Sequence, residues 1–125
     1  MILGIGSDII HIPRVARAIA NERVLERVYT ARERAYAESR GKTITASLAA
    51  RFAGKEAVLK AFGTGLRCGK MTDLEILPDD LGAPIVHLDG YFAAHAQEMG
   101  VERVWITLSH ERDYATAYCV LEGQR

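Results

Sequence analysis

The chain is poor in the residues that would mark a secreted, membrane-embedded or zinc-stapled protein. It has only two cysteines in 125 residues, Cys68 and Cys119, and their spacing fits neither a CxxC redox pair nor a zinc knuckle. Two free thiols in a reducing cytoplasm are therefore expected. No cationic segment leads into a long apolar run, so neither a signal peptide nor a membrane span is expected. Repeats, low-complexity stretches and linkers are missing, which predicts a single domain over residues 1–125. There is no excess of charge of either sign, the net being zero, and aromatics make up 7% of the chain. Both facts argue against a nucleic-acid partner, which needs a basic surface and, for single strands, a stacking platform.

What remains is an ordinary globular composition, with 49% apolar and 26% charged residues. A chain of this size builds a modest core, and subunit association would help it bury more surface. The charge is uneven: before Lys55 there are nine cations and five acids, and the balance reverses afterwards. That basic excess suits either a solvated helix surface or an acidic partner.

Ile2 to Ile10 reads as a buried strand interrupted by Gly4 and Gly6, where a bulge or a close backbone approach is expected. Pro13 suits the first turn of a helix carrying Ile12, Val15, Ala16 and Ile19 at helical spacing. Val24, Leu25 and Val28 suggest a second short helix. Thr30 and Glu33 form a capping box that predicts a third, to about Ser39. Thr45 to Phe62 gives the strongest helical pattern, with Leu48, Phe52, Leu59 and Phe62 as an apolar stripe and Gly63 as its stop. Leu74–Leu77 and Pro84–Leu88 read as strands around a turn at Asp79–Gly82, Gly90–Met99 as a helix closed by Gly100, and Val104–Leu108 and Ala115–Leu121 as strands. Early helices and later, mostly antiparallel strands predict an α+β fold with helices packed on a small sheet.

Several residues sit where structure alone does not explain them. Asp8 lies in an apolar strand, where a carboxylate must be paired, hydrogen-bonded or metal-bound; capping of the next helix is the competing reading. Glu56 and Lys60 share one helix face, as a surface ion pair or as part of a site. Lys55 falls inside the apolar stripe, so it must snorkel out or meet an anion. Gly54 within the helix costs roughly 1 kcal/mol against Ala, which a close approach by backbone or ligand, or simple tolerance, would explain. Gly63-Thr64-Gly65 can offer backbone amides to phosphate, although a plain helix cap accounts for Gly63. Ser109 and His110 are adjacent on a strand and point to opposite faces, which excludes them as a nucleophile–base pair. His110 then reads as a phosphate or base contact, or as an ordinary turn residue. His11, His87 and His95 have no partner at metal-ligand spacing.

Taken in order, Gly4-Ile5-Gly6-Ser7-Asp8-Ile9, Arg51-Phe52-Ala53-Gly54-Lys55-Glu56-Ala57, Lys60-Ala61-Phe62-Gly63-Thr64-Gly65, Leu81-Gly82-Ala83-Pro84 and Thr107 to Ala115 resemble the holo-acyl-carrier-protein synthase family of phosphopantetheinyl transferases. The resemblance runs from about Ile2 to Leu121. Ser7, His11 and Gly54 depart from the usual Thr, acid and Ala or Val of that pattern. The resemblance implies transfer of 4'-phosphopantetheine from coenzyme A to a serine of an acidic acyl-carrier protein. It implies Mg²⁺ on Asp8 and Glu56, with Lys60 at the pyrophosphate. Arg51, Lys55, His110 and the Gly63-Thr64-Gly65 amides are implied to contact coenzyme A, and Arg14 and Arg17 to receive the carrier. It further implies a homotrimer with sites between subunits. The alternative is a coenzyme A or nucleotide-binding module that does not turn over.

Overall fold

In the computed structural model, which describes residues 1–125, β1 (Ile2–His11) runs straight into α1 (Ile12–Ile19), with Pro13 in the first turn. Two short helices follow, α2 (Glu22–Val28) and α3 (Ala31–Ser39). Asn21 caps α2 by accepting the Arg23 and Val24 amides. The Thr30–Glu33 capping box of α3 is formed in both directions, at 3.1 and 2.9 Å. A turn of 3-10 helix leads into α4 (Ile44–Phe62), which Gly63 ends in the left-handed conformation. The hairpin β2 (Leu74–Pro78) and β3 (Pro84–Leu88), then α5 (Gly90–Met99), β4 (Val101–Glu111) and β5 (Tyr114–Gly123) complete the chain. The result is α+β as predicted.

The main sheet has the order β1-β5-β4, antiparallel throughout, and its inner face lies on α4. Alternation sorts β1: Gly4, Gly6, Asp8 and Ile10 face α4, while Ile5, Ser7 and Ile9 face away. A Cβ on Gly4 or Gly6 would stand 2.1 Å from the carbonyl oxygen of Ala61 or Ala57. The glycines thus let β1 descend onto a helix face made of Ala53, Ala57 and Ala61, all buried. The register also shifts between Ile2 and Gly4, so the bulge and the close approach expected of this segment are both present.

The apolar stripe expected on α4 is too narrow a description. Twelve of its nineteen residues are buried, because the sheet covers one side, the β2–β3 hairpin another and α1–α3 a third. Gly54 is explained by packing and not by a ligand: a Cβ there would meet Ile76 of β2 at 2.7 Å and Leu108 of β4 at 3.0 Å. The outer face of the main sheet is uncovered. Ile5, Ile9, Trp105, Tyr114 and Tyr118 are each about half exposed or more on that face. No helix of the chain is long and apolar enough to cross a membrane.

Candidate active site

The close crossing of β1 over α4 decides where Asp8 goes. With Gly6 pressed against Ala57, the next inward side chain, Asp8, arrives at the helix flank that carries Glu56 and Lys60 one turn apart. Lys60 Nζ donates to Asp8 Oδ1 at 3.1 Å, with the lysine more than half exposed and the carboxylate mostly covered. An ion pair this exposed contributes about 1 kcal/mol or less. Burial pushes the Glu56 carboxyl above its ordinary value, and the Asp8 charge adds to the effect while Lys60 opposes it. Asp8 and Glu56 are therefore neighbours that repel, and the single ammonium of Lys60 is bonded to only one of them.

That donor set suits a hard divalent ion. No third His, Cys, Asp or Glu joins the two carboxylates. Zinc would need more protein ligands, whereas Mg²⁺ takes one or two carboxylates and completes its shell with water and phosphate oxygens.

Arg51 and His110 meet elsewhere, at a cavity of about 250 Å³ that also touches Tyr36, Arg40, Gly82 and Pro84. The Arg51 side chain is buried and held. Its Nε donates to the Ile76 carbonyl at 3.0 Å, one terminal nitrogen donates to Ser47, and the guanidinium stacks 4.7 Å from the Tyr36 ring centroid. Burial pulls its pKa below the ordinary arginine value. The strand register pairs His110 with Ala115 and Ser109 with Thr116, so the two side chains do point to opposite faces. Tyr36 and Arg40 at this cavity were not foreseen. They stand four residues apart along α3 and its cap, but nothing local connects them with Arg51, fifteen and eleven positions further on.

Within one chain these two clusters stay apart. Arg51 and Glu56 are five residues apart on α4, hence about 140° around the helix, and the Arg51 cavity includes none of Asp8, Glu56 and Lys60. Glu56 instead borders a separate cavity of about 540 Å³ between α2 and the 66–72 segment, walled by Val24, Val28, Phe52 and Met71.

Two expectations are corrected. Lys55 is wholly enclosed, and its three donors are taken by Glu33 Oε1 and the carbonyls of Val28 and Met71 at 2.6–2.9 Å. The anion that its place in the apolar stripe called for is Glu33, so no donor is left for coenzyme A. The Gly63 amide is likewise spent, closing α4 on Leu59 and Lys60 at 3.0 and 3.1 Å. Gly63 cannot lend that amide to phosphate; Thr64 and Gly65 keep the role only as a proposal. Arg14 and Arg17 are both exposed on α1.

A family profile described as the 4'-phosphopantetheinyl transferase superfamily matches residues 4–119. The chain is 46% identical over 123 residues to the holo-[acyl-carrier-protein] synthase of Clostridium acetobutylicum, covering 98% of each. It is 42% identical over 125 residues to that of Clostridium tetani, covering 99% of this chain and 98% of the other. Among solved structures, an ACPS–CoA complex from Chronobacterium ammoniagenes superimposes with a TM-score of 0.85 at 34% identity over 98% of both chains. The Neisseria meningitidis holo-[acyl-carrier-protein] synthase does so with 0.89 at 34%, over 98% of this chain and 99% of the other. The chain therefore belongs to the 4'-phosphopantetheinyl transferase superfamily, among the holo-[acyl-carrier-protein] synthases.

Proposed function

We propose that the protein transfers the 4'-phosphopantetheine group of coenzyme A to a serine of an apo-acyl-carrier protein, with Mg²⁺ held by Asp8 and Glu56. The observation that carries this reading is the meeting of Asp8, Glu56 and Lys60 at the crossing of β1 and α4. Bound there, Mg²⁺ would neutralise charge on the pyrophosphate oxygens. Lys60, exposed beside the two carboxylates, steadies the pyrophosphate or protonates the leaving oxygen. Arg51 and His110, with Tyr36 and Arg40, bind the nucleotide end, and Thr64 and Gly65 add backbone amides. The carrier serine oxygen bonds to the phosphorus that bears pantetheine, and the bond from that phosphorus to the bridging oxygen breaks. Adenosine 3',5'-bisphosphate leaves, and the hydroxyl proton goes to Glu56, Asp8 or a water they hold. Positioning and charge stabilisation supply most of the rate in such transfers.

The separation of the two clusters favours a homotrimer in which a neighbour completes each site. The uncovered face with Ile5, Ile9, Trp105 and Tyr118 offers the apolar surface for it. Arg14 and Arg17 receive the acidic carrier by charge complementarity. A cytoplasmic setting belongs to the same proposal. The test is the intact mass of a fatty-acid apo-carrier after incubation with enzyme, Mg²⁺ and coenzyme A. One phosphopantetheine per carrier is expected; no gain on any of several carriers would overturn the reading.

A further inference from the structure

The fully buried pair Lys55–Glu33 is unused in that mechanism, yet Lys55 precedes Glu56 on α4 and bonds to two residues that line the cavity at Glu56. The Lys55 ammonium donates to Val28 O at 2.6 Å, Glu33 Oε1 at 2.7 Å and Met71 O at 2.9 Å, so every proton has an acceptor. Glu33 is equally committed: Oε1 also accepts the Thr30 amide at 2.9 Å, and Oε2 accepts the Ile76 amide at 2.9 Å. Such a pair is weak evidence for a role in stability alone, since well-packed apolar residues often do as well or better in its place. What an ammonium adds is direction, because it fixes three acceptors about one point.

Those acceptors have a meaning in the fold. Val28, at the end of α2, is one wall of the cavity beside Glu56, and Met71 belongs to the other wall. Between them stands α4, with Lys55 pointing inward and Glu56 next along the chain. The hold also extends further. The backbone of Ile76 is held on both sides, its N–H donating to Glu33 Oε2 at 2.9 Å and its carbonyl accepting from Arg51 Nε at 3.0 Å. One buried charge pair thus ties both walls of the Glu56 cavity to the strand that anchors Arg51.

We infer that Lys55 and Glu33 are positioning residues for the transfer reaction, setting the width of the cleft at Glu56 without touching substrate. This rests on the transferase reading for its kinetic consequence, but the clamp itself can be tested independently. Two carbonyls converge on one ammonium, so removing it releases both walls while Glu56, Asp8 and Lys60 keep their side chains.

The experiment compares the wild type with the charge-free double variant Lys55→Met/Glu33→Gln. Steady-state transfer to an apo-carrier is measured alongside coenzyme A affinity and amide hydrogen exchange. We expect kcat to fall roughly 10- to 100-fold, the scale of an ångström-sized misplacement. The dissociation constant of coenzyme A should stay within about threefold, because Glu33→Gln keeps a side-chain oxygen for the Ile76 amide, so the strand that anchors Arg51 stays held, and Asp8, Glu56 and Lys60 are unchanged. Exchange should quicken in residues 24–30 and 66–72 and stay slow in the second half of α4. If the double variant does not fold, Glu33→Asp keeps the charge but withdraws it by one methylene, and the same kcat-only loss should appear at smaller scale. A weakened coenzyme A affinity with kcat preserved would make Lys55 a ligand contact and overturn the inference. Unchanged kcat and unchanged exchange at both walls would do the same. If the wild type transfers nothing, the transferase reading fails; unchanged exchange would then still refute the clamp, and quickened exchange would still support it.

Discussion

Replacing Gly6 with alanine is the sharpest way to ask whether the crossing of β1 over α4 creates the site. The new methyl carbon would lie 2.1 Å from Ala57 O, 2.6 Å from Ala61 N and 3.0 Å from Lys60 Cβ. Two of these are backbone atoms, which have no rotamer to change. Ordinary contact begins near 3.4 Å, so strand and helix must part by about 1.3 Å or distort by an equivalent amount. Overpacking of this kind costs about 1–3 kcal/mol, and more where backbone meets backbone. Asp8 is two residues along the same strand face and moves with it, away from Glu56 and Lys60. A displacement near 1 Å at a reacting centre costs roughly 100-fold in rate. Thermal unfolding and the rate of carrier mass gain, measured on the same preparation, should both report it. Cooling the assay well below the variant's midpoint should restore the folded fraction but not the rate. A Gly6→Ala protein with wild-type midpoint and wild-type rate would refute the argument, since it would mean that β1 does not need to lie on α4.

Other consequences follow from the same geometry. Arg14→Glu should raise the KM for the carrier by about tenfold through lost complementarity and leave that for coenzyme A unchanged; equal losses would remove α1 from docking. Tyr118→Glu, on the uncovered sheet face, should shift sedimentation from the proposed trimer to monomer and reduce transfer; a wild type that sediments as a monomer would refute the trimer, and a variant trimer that persists would place the interface elsewhere. Glu56→Gln should abolish transfer yet raise the unfolding midpoint in metal-free buffer. Because the folded carboxyl titrates above its ordinary value of 4.5, its ionised form opposes folding. The benefit of glutamine is therefore full at pH values above the raised pKa and vanishes below about pH 4.5. A midpoint lowered at neutral pH would contradict the burial argument.

Much of this was legible in the order of residues, and the gaps have physical causes. The glycine spacing of β1 announced a close approach, and alternation alone placed His110 opposite Ser109. The Thr30–Glu33 box announces α3, but Glu33 also pairs with Lys55 and accepts the Ile76 amide. Its ion pair spans twenty-two residues, and no local pattern carries that information. Lys55 looked anomalous within an apolar stripe; the anomaly was real, but a buried partner explains it as well as a ligand does, and the partner won. The segment Val101–Arg103 joined β4 unforeseen because Glu102 and Arg103 break the apolar run, and a register shift between Val101 and Arg103 accommodates them. Tyr36 and Arg40 reach the Arg51 cavity only because α3 packs on α4, which is a tertiary fact.

The dependence of transfer on Mg²⁺ concentration, compared between the wild type and Asp8→Asn, bears most directly on the two carboxylates. The wild-type rate should saturate with Mg²⁺ and disappear in chelator, and the variant should need roughly tenfold more metal or more for half its maximum. Transfer that persists at full rate in chelator, or an Asp8→Asn protein with an unchanged metal requirement, would contradict the claim that Asp8 and Glu56 hold the ion.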